Sequence, residues 1–379
     1  MSDAPVLADP PAPRPAPSRG GRLRAAIGLG VGLLALVIAL WGVPLAEVGQ
    51  ALLNARWGWL VLVALVFQWQ QLMRAWRQTV IVRAVRPDSR YRTNLSVLCI
   101  SFLAINTVPG RVGEVVRPLL LLERERIPLG VGFALVFVER VLDLLATFAM
   151  LALVAFVFPP QTHVFTLGQV QVDWLSLARG AAATVLPAVL LGVLVLVVWG
   201  ERLVTLVAPL AQRGPPWWQR LWRLGLGFAG TFVQGLQSLR SARRVAAIVT
   251  LTVVTWAGSI WMVPMAAQAF GIGPMLGYGE GVAVLAVSML GGIAPAPPGQ
   301  AGTYEAFVRG GLALHGVVGP GPTPDGVAPS LDAAAVALAL TMHWWIMLTQ
   351  MATALYFLAV DRVDLRALVR QARQTLTAS

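Results

Sequence analysis

Lysine is absent from this 379-residue chain, charged residues make up only 12% of it, and cysteine occurs once. Soluble domains carry roughly 25% charged residues. The low figure excludes a water-soluble enzyme of this length, because too few polar side chains exist to cover its surface. The lone Cys99 excludes an internal disulfide. Three scattered histidines, His163, His315 and His343, form no His/Cys metal pattern. G-x-S-x-G, P-loop and H-E-x-x-H motifs are missing as well, which removes common signatures of nucleophilic, nucleotide and zinc chemistry. Neither a catalytic residue nor a cofactor is expected, and the chain reads as a non-enzyme.

What remains is apolar: 57% of the residues, with a mean hydropathy of +0.72. The expected fold is all-α, a polytopic integral membrane helix bundle. The formal charge of +12 sets 29 basic residues, all arginine, against 17 acidic ones. These arginines lie between apolar runs and not on a polar domain, so the partner they fit is an anionic membrane surface and not nucleic acid.

Residues 1–22 are Pro-rich and aromatic-free and read as a disordered tail. Six apolar runs suit full spans: 23–43, 57–73, 129–158, 180–199, 245–270 and 331–360. The first exceeds a signal-peptide core, and no small-residue cleavage site follows it. Two further stretches, 95–122 and 281–316, break near their centres at VPGRVGE (108–114) and APAPPGQAG (294–302). At about 1.5 Å per residue, half of either is too short for ~30 Å of hydrocarbon. Each reads as two half-helices.

Of the 29 arginines, 21 fall in residues 1–24, residues 74–92, a link over 200–244 and a C-terminal tail over 361–379. The positive-inside rule puts all four segments, and both termini, in the cytoplasm of a multi-pass cell-membrane (plasma or inner-membrane) protein. Loops 159–174, 271–279 and 317–330 carry no arginine and face outward. This sidedness requires each broken stretch to return to the side it entered from, as a re-entrant helical hairpin or two short crossings. The halves, about 57–199 and 245–360, then form an inverted repeat, the arrangement that marks a transport site.

Irregular backbone inside a bilayer survives only against protein or a wet cavity. The half-helices after the breaks start near Val112 and Thr303, where free amides favour an anion such as phosphate. Arg111 and Arg117 flank the first tip and suit a bidentate phosphate contact; their alternative role is packing and snorkelling. Glu139, Arg140 and Asp143 lie in FVERVLD (137–143), near the middle of a span where an ionisable group costs about 2.5–3.5 kcal/mol. Either they contact substrate or they form ion pairs, such as Arg140 with Glu114 or Glu305. Glu305 and Arg309 form an i,i+4 pair, and Glu280 reads as interfacial. Gly225, Gly227 and Gly230 match G-x-G-x-x-G without a preceding strand, so no dinucleotide site follows. Gly28 and Gly32 suit helix packing, and Trp217, Trp218 and Trp222 beside three arginines read as an interfacial helix.

The ordered set N-x-x-P-G-R-x-G-E-x-x-R (106–117), E-R-x-x-D (139–143) and P-P-G-x-x-G-x-x-E (297–305) resembles the lysylphosphatidylglycerol synthase transmembrane, or flippase-like, family over about 23–360. The resemblance adds Asn106, Gly299 and Gly302 to Arg111, Glu114, Arg117, Glu139, Arg140, Asp143 and Glu305 as candidate substrate-binding residues. It implies a membrane domain that moves a phospholipid or lipid-linked amphiphile between leaflets. About twenty residues follow the last span, so the synthase half of the fused members is expected to be absent. An intramembrane transferase using Glu114 and Asp143 as acid and base is the alternative. A non-transporting partner subunit is a third reading, and a homo-oligomer is left open.

Overall fold

A computed structural model describes residues 19–107, 113–160, 164–167, 170–209, 215–291 and 298–364. Among these residues the chain forms twelve α-helices: α1 (Arg19–Leu40), α2 (Leu45–Leu53), α3 (Trp57–Val82), α4 (Tyr91–Thr107), α5 (Gly113–Glu125), α6 (Leu129–Phe156), α7 (Trp174–Val207), α8 (Pro216–Gly235), α9 (Ala242–Ala269), α10 (Tyr278–Gly291), α11 (Thr303–Ala313) and α12 (Leu331–Val360). A two-stranded antiparallel hairpin, β1 (Val164–Leu167) and β2 (Val170–Asp173), precedes α7 and qualifies the all-α expectation. It ends at Asp173, whose carboxylate accepts the Leu175 and Ser176 amides at 3.0 and 3.3 Å and starts α7.

Among the described residues, three helices are long and apolar enough to cross a membrane: Ala178–Val207 of α7, α9 and α12. Helices α1 and α2 qualify together, as a pair bent by 82°. The bend follows from Gly42, at φ +74°, and from Pro44, which has no amide to continue the ladder. The expectation of six full spans is therefore not met by length and composition. Gln68, Gln70, Gln71, Arg74 and Arg77 dilute α3, and Glu139, Arg140 and Asp143 interrupt α6. Expected boundaries also move: α3 runs past Met73 to Val82, α7 extends beyond 180–199 at both ends, and α1 begins at Arg19, inside the segment expected to be tail.

Each broken stretch folds as two short helices packed on each other, α4 on α5 and α10 on α11. Their 17, 13, 14 and 11 residues each fall short of ~30 Å at about 1.5 Å per residue. The packing repeats across the chain. Helix α5 lies on α6 as α11 lies on α12; α4 crosses to α12 as α10 crosses to α6; α3 touches α4 as α9 touches α10; and α3 and α9 pack along each other. Exchanging α3–α6 for α9–α12 leaves these neighbour relations unchanged.

Both feet of the first helix pair sit where α12 ends. Asp361 accepts from Arg92 of α4 at 2.9 Å and Arg124 of α5 at 2.8 Å, and from the Ser96 hydroxyl of α4. The second pair is tied to the other end of α12, where Arg309 of α11 meets Asp332 at 2.7 Å. Arg309 also donates to the carbonyls of Ile38, Ala39 and Trp41, at the end of α1 where carbonyls lose their i+4 amides. Burial pushes the Asp361 carboxyl up, but the Ser96 hydroxyl and the two arginines outweigh it and hold the pKa below the usual aspartate value. A depressed folded pKa contributes stability above the unfolded value that is lost as pH falls through the folded one. Thermal unfolding in detergent is thus expected to show an acid-side fall in Tm that Asp361→Asn flattens while lowering Tm near neutral pH.

Two large apolar cores stack along the bundle, one around each helix pair. Their buried residues are separated on α3 by residues 68–80, on α6 by 139–149, on α9 by 249–255 and on α12 by 343–353. Those gaps hold most of the buried polar side chains of these helices, including Gln70, Gln71, Arg77, Glu139, Thr252, His343 and Gln350. The fold is two apolar cores with a polar layer between them.

Candidate functional site

The polar layer starts on α3, where Gln71, Arg74 and Gln78 repeat at helical spacing and Arg77 is 3% exposed. Arg77 donates to Thr252 of α9 at 3.1 Å and lies 3.6 Å from Asp143 of α6, so one guanidinium links three helices. Arg117 of α5, 1% exposed, forms an ion pair with Glu139 of α6 and donates from Nε to Ser101 of α4 at 3.0 Å. Phe102 of α4 lies beneath two guanidinium groups, Arg117 at 5.1 Å and Arg74 at 5.8 Å from its ring centre. Arg140 reaches Asp143 at 3.7 Å and is half exposed, as Asp143 is in part. Four arginines thus meet two carboxylates, a formal excess of two positive charges. Hydrogen-bonding capacity is left over: Arg77 Nε, Arg117 Nη2, Glu139 Oε1 and the Gln71 amide are buried without a partner among the described residues, where each such atom costs about 1–3 kcal/mol.

The second cluster lies where α11 meets α12. Glu305, 2% exposed, accepts the Gly302 amide at 2.8 Å and faces His343 Nδ1 at 2.7 Å. His343 Nε2 lies 2.7 Å from the Gly299 carbonyl. Gly299, Gln300 and Gly302 all have positive φ, at 74°, 61° and 86°, a tight turn that presents this carbonyl to α12. Asn106, at the end of α4, donates to Gln350 of α12 at 2.7 Å. A Cβ on Gly299 would stand 2.5 Å from Met347 and 3.8 Å from the Asn106 carbonyl. The inner ends of both helix pairs therefore converge on α12.

Of the expected site residues, Arg117, Glu139, Arg140 and Asp143 come together, while Asn106, Gly299 and Glu305 gather on α12 and Gly302 starts α11 beside Gly32 of α1. Arg111 lies outside the described residues. Glu114 is half-buried in the first turn of α5 and enters none of the ion pairs among the described residues. Two pairings are corrected. Arg140 meets neither Glu114 nor Glu305 but Asp143 on its own helix, because the hairpin-to-helix pair is Arg117 with Glu139. Glu305 does not pair with Arg309; it is held by its own helix start and by His343, while Arg309 goes to Asp332 and α1. Arg74 and Arg77 fall in a segment expected to be cytoplasmic, yet α3 carries Arg77 into the core. The run Gln70, Gln71, Arg74, Gln78 on one helical face was the signal. His343 carried none.

A hollow of about 10 Å³ between Ile81, Leu121, Val131 and Gly235 admits no more than one water and lies outside the polar layer.

The family model described as the lysylphosphatidylglycerol synthase TM region matches residues 25–320, from α1 through both helix pairs. The chain belongs to the lysylphosphatidylglycerol synthase transmembrane family. It is a multi-pass membrane protein in a lipid-related family, as the resemblance implied. The family match contains the Arg117–Glu139 cluster and Glu305 and ends before α12, so His343, Gln350 and Asp361 lie beyond it. No curated protein and no solved structure matches the chain.

Proposed function

We propose that this protein moves a phospholipid or lipid-linked amphiphile between leaflets, passing the headgroup along the polar layer between its two apolar cores. One observation carries the reading: four arginines and two carboxylates stand together in the polar layer between two apolar cores, with Arg140 half exposed and Asp143 partly so. Charges at that depth are expensive and mark substrate paths. The excess of positive charge suits an anionic phosphate, which arginine binds bidentately. Arg117 is committed to Glu139, so the headgroup contacts fall to Arg74, Arg77 and Arg140, with Arg117 setting the hairpin.

In this reading α3, α6, α7, α9 and α12 cross the membrane with the bent α1–α2 pair, and the two broken pairs are re-entrant from opposite faces. The mirrored packing of α3–α6 and α9–α12 supports an inverted repeat. The arginine-rich end holds both termini on the cytoplasmic side of the cell membrane. The protein acts as a transporter and not as an enzyme.

Mass spectrometry of lipids that co-purify with the protein tests the proposal. Anionic lipids retained by the wild type and lost from Arg74→Gln/Arg140→Gln are expected. Equal lipid content in both would sink the assignment, and conversion of a labelled lipid-linked donor into product would favour the transferase instead.

A further inference from the structure

The two halves hold their hairpins by pairs of opposite design. In the first, a cation on the hairpin, Arg117, meets an anion on the following long helix, Glu139. In the second, an anion on the hairpin, Glu305, meets His343 on the following long helix. Glu139 is the eleventh residue of α6 and His343 the thirteenth of α12, so the pairs occupy matching places in the repeat. An arginine keeps its proton at any relevant pH, whereas an imidazole does not. Only the second latch can be opened by losing a proton.

The hydrogen count around His343 makes this specific. Nε2 faces the Gly299 carbonyl and Nδ1 faces the Glu305 carboxyl, both at 2.7 Å. A carbonyl can only accept, so Nε2 carries a hydrogen. A second hydrogen must lie between Nδ1 and Oε1, on one atom or the other, or two lone pairs would oppose each other at that distance. The remaining Glu305 oxygen is taken by the Gly302 amide. Imidazole and carboxyl together therefore hold one proton more than a neutral imidazole and a carboxylate. When that proton leaves to water, one ring hydrogen remains for two acceptors. Kept on Nδ1 it serves the carboxylate, and the Gly299 carbonyl at the hairpin tip is released from α12.

We infer that the His343–Glu305 pair is a proton-binding site that latches the tip of the second hairpin to α12 when occupied and frees it when empty. As part of a transporter it would couple lipid movement to a proton, and in that role it rests on the proposed function. Other charges around the pair are committed or distant. Arg309, one turn along α11, holds Asp332 of α12. Glu280 of α10 accepts the Gly277 amide, Glu47 of α2 accepts the Ser330 hydroxyl, and Arg92 of α4 holds Asp361. Helix α1 carries no titratable residue over 29–40, the arginines of α9 sit in its first turn, and those of α3 belong to the first cluster. Tyr304, whose ring centre is 4.7 Å from that of His343, is the remaining titratable neighbour.

Glu305→Gln tests the inference, because its amide satisfies every partner without the extra proton. The amide oxygen accepts from Gly302, the NH2 donates to a neutral Nδ1, and Nε2–H still reaches Gly299. Backbone hydrogen exchange over residues 299–306 would be followed by mass spectrometry in nanodiscs, wild type against variant, at about pH 6 and about pH 9. Comparison at equal pH cancels the intrinsic exchange rate. Equal protection at the lower pH is expected, with wild-type exchange faster by about tenfold at the higher pH, as for one lost hydrogen bond to a charged group. A wild-type-to-variant ratio that does not change with pH overturns the latch. Lipid movement in liposomes forms the second arm. A wild-type rate that shifts with pH and a variant rate that does not support coupling; a wild-type rate independent of pH overturns it. No lipid movement at any pH would count against the proposed function alone, since the exchange readout needs none.

Discussion

Arg117→Met is expected to destabilise the protein by about 3–5 kcal/mol, the usual cost of removing one partner from a buried ion pair. Both residues are almost fully buried, and the arginine is held further by Ser101 and the Phe102 ring. Removing the guanidinium leaves the Glu139 carboxylate among the apolar side chains of α5 and α6, with Arg77 and Arg140 as its nearest remaining cations. The paired change Arg117→Met/Glu139→Leu removes both charges and is expected to recover most of the loss, since well-packed apolar replacements of buried pairs are often neutral or better. Chemical unfolding in mixed micelles measures both. A double variant as unstable as the single would mean that the loss comes from packing of the long arginine stem and not from charge.

The second large effect belongs to Gly302→Ala. Gly302 sits at φ +86° and ψ −50°, a conformation that L side chains rarely adopt. A Cβ there would stand 1.9 Å from the Gly32 carbonyl oxygen of α1, and that oxygen belongs to backbone and cannot swing away. Strain of roughly 1–3 kcal/mol then adds to a similar overpacking cost of about 1–3 kcal/mol. The same methyl forces α1 off α11 and disturbs the Gly302–Glu305 contact that starts that helix. A loss of roughly 2–6 kcal/mol is expected on these grounds, together with easier proteolysis of α1. By contrast Gly310→Ala on the same helix, where nothing lies within 4 Å of the new Cβ, is expected to change stability little and serves as the control.

These two positions show what the sequence made legible. Proline and glycine fix local backbone, so the broken stretches and the start of α11 at Thr303 followed from P-G-x-x-G alone. Long apolar runs fixed α9 and α12 to within three residues at either end. The polar layer was harder. An arginine at the end of an apolar run looks the same whether the helix stops there or continues, and so sequence alone puts Arg74 and Arg77 in a surface segment. Only tertiary packing, with Thr252 and Asp143 on other helices, gives Arg77 a reason to be buried. Pairings are likewise nonlocal: Arg117 with Glu139 and Glu305 with His343 join residues 22 and 38 positions apart, and no spacing rule selects them over Arg140 with Glu114. His343 is the extreme case, a single histidine on an apolar helix whose meaning comes from the two acceptors placed on either side of its ring.

The account stands on charge in the middle of the bundle serving the headgroup, and transbilayer movement of a labelled anionic lipid in proteoliposomes tests that most directly. Arg140 is exposed and Arg74 half-buried, and neither takes part in the Arg117–Glu139 pair, so Arg74→Gln/Arg140→Gln is expected to fold and to keep that pair. Losing two charged contacts at about 1.5–3 kcal/mol each should slow movement by at least about tenfold. Wild-type protein that moves the lipid and a folded double variant that moves it much more slowly is the predicted result. Equal rates in the two, or wild-type liposomes no faster than protein-free ones, would contradict it.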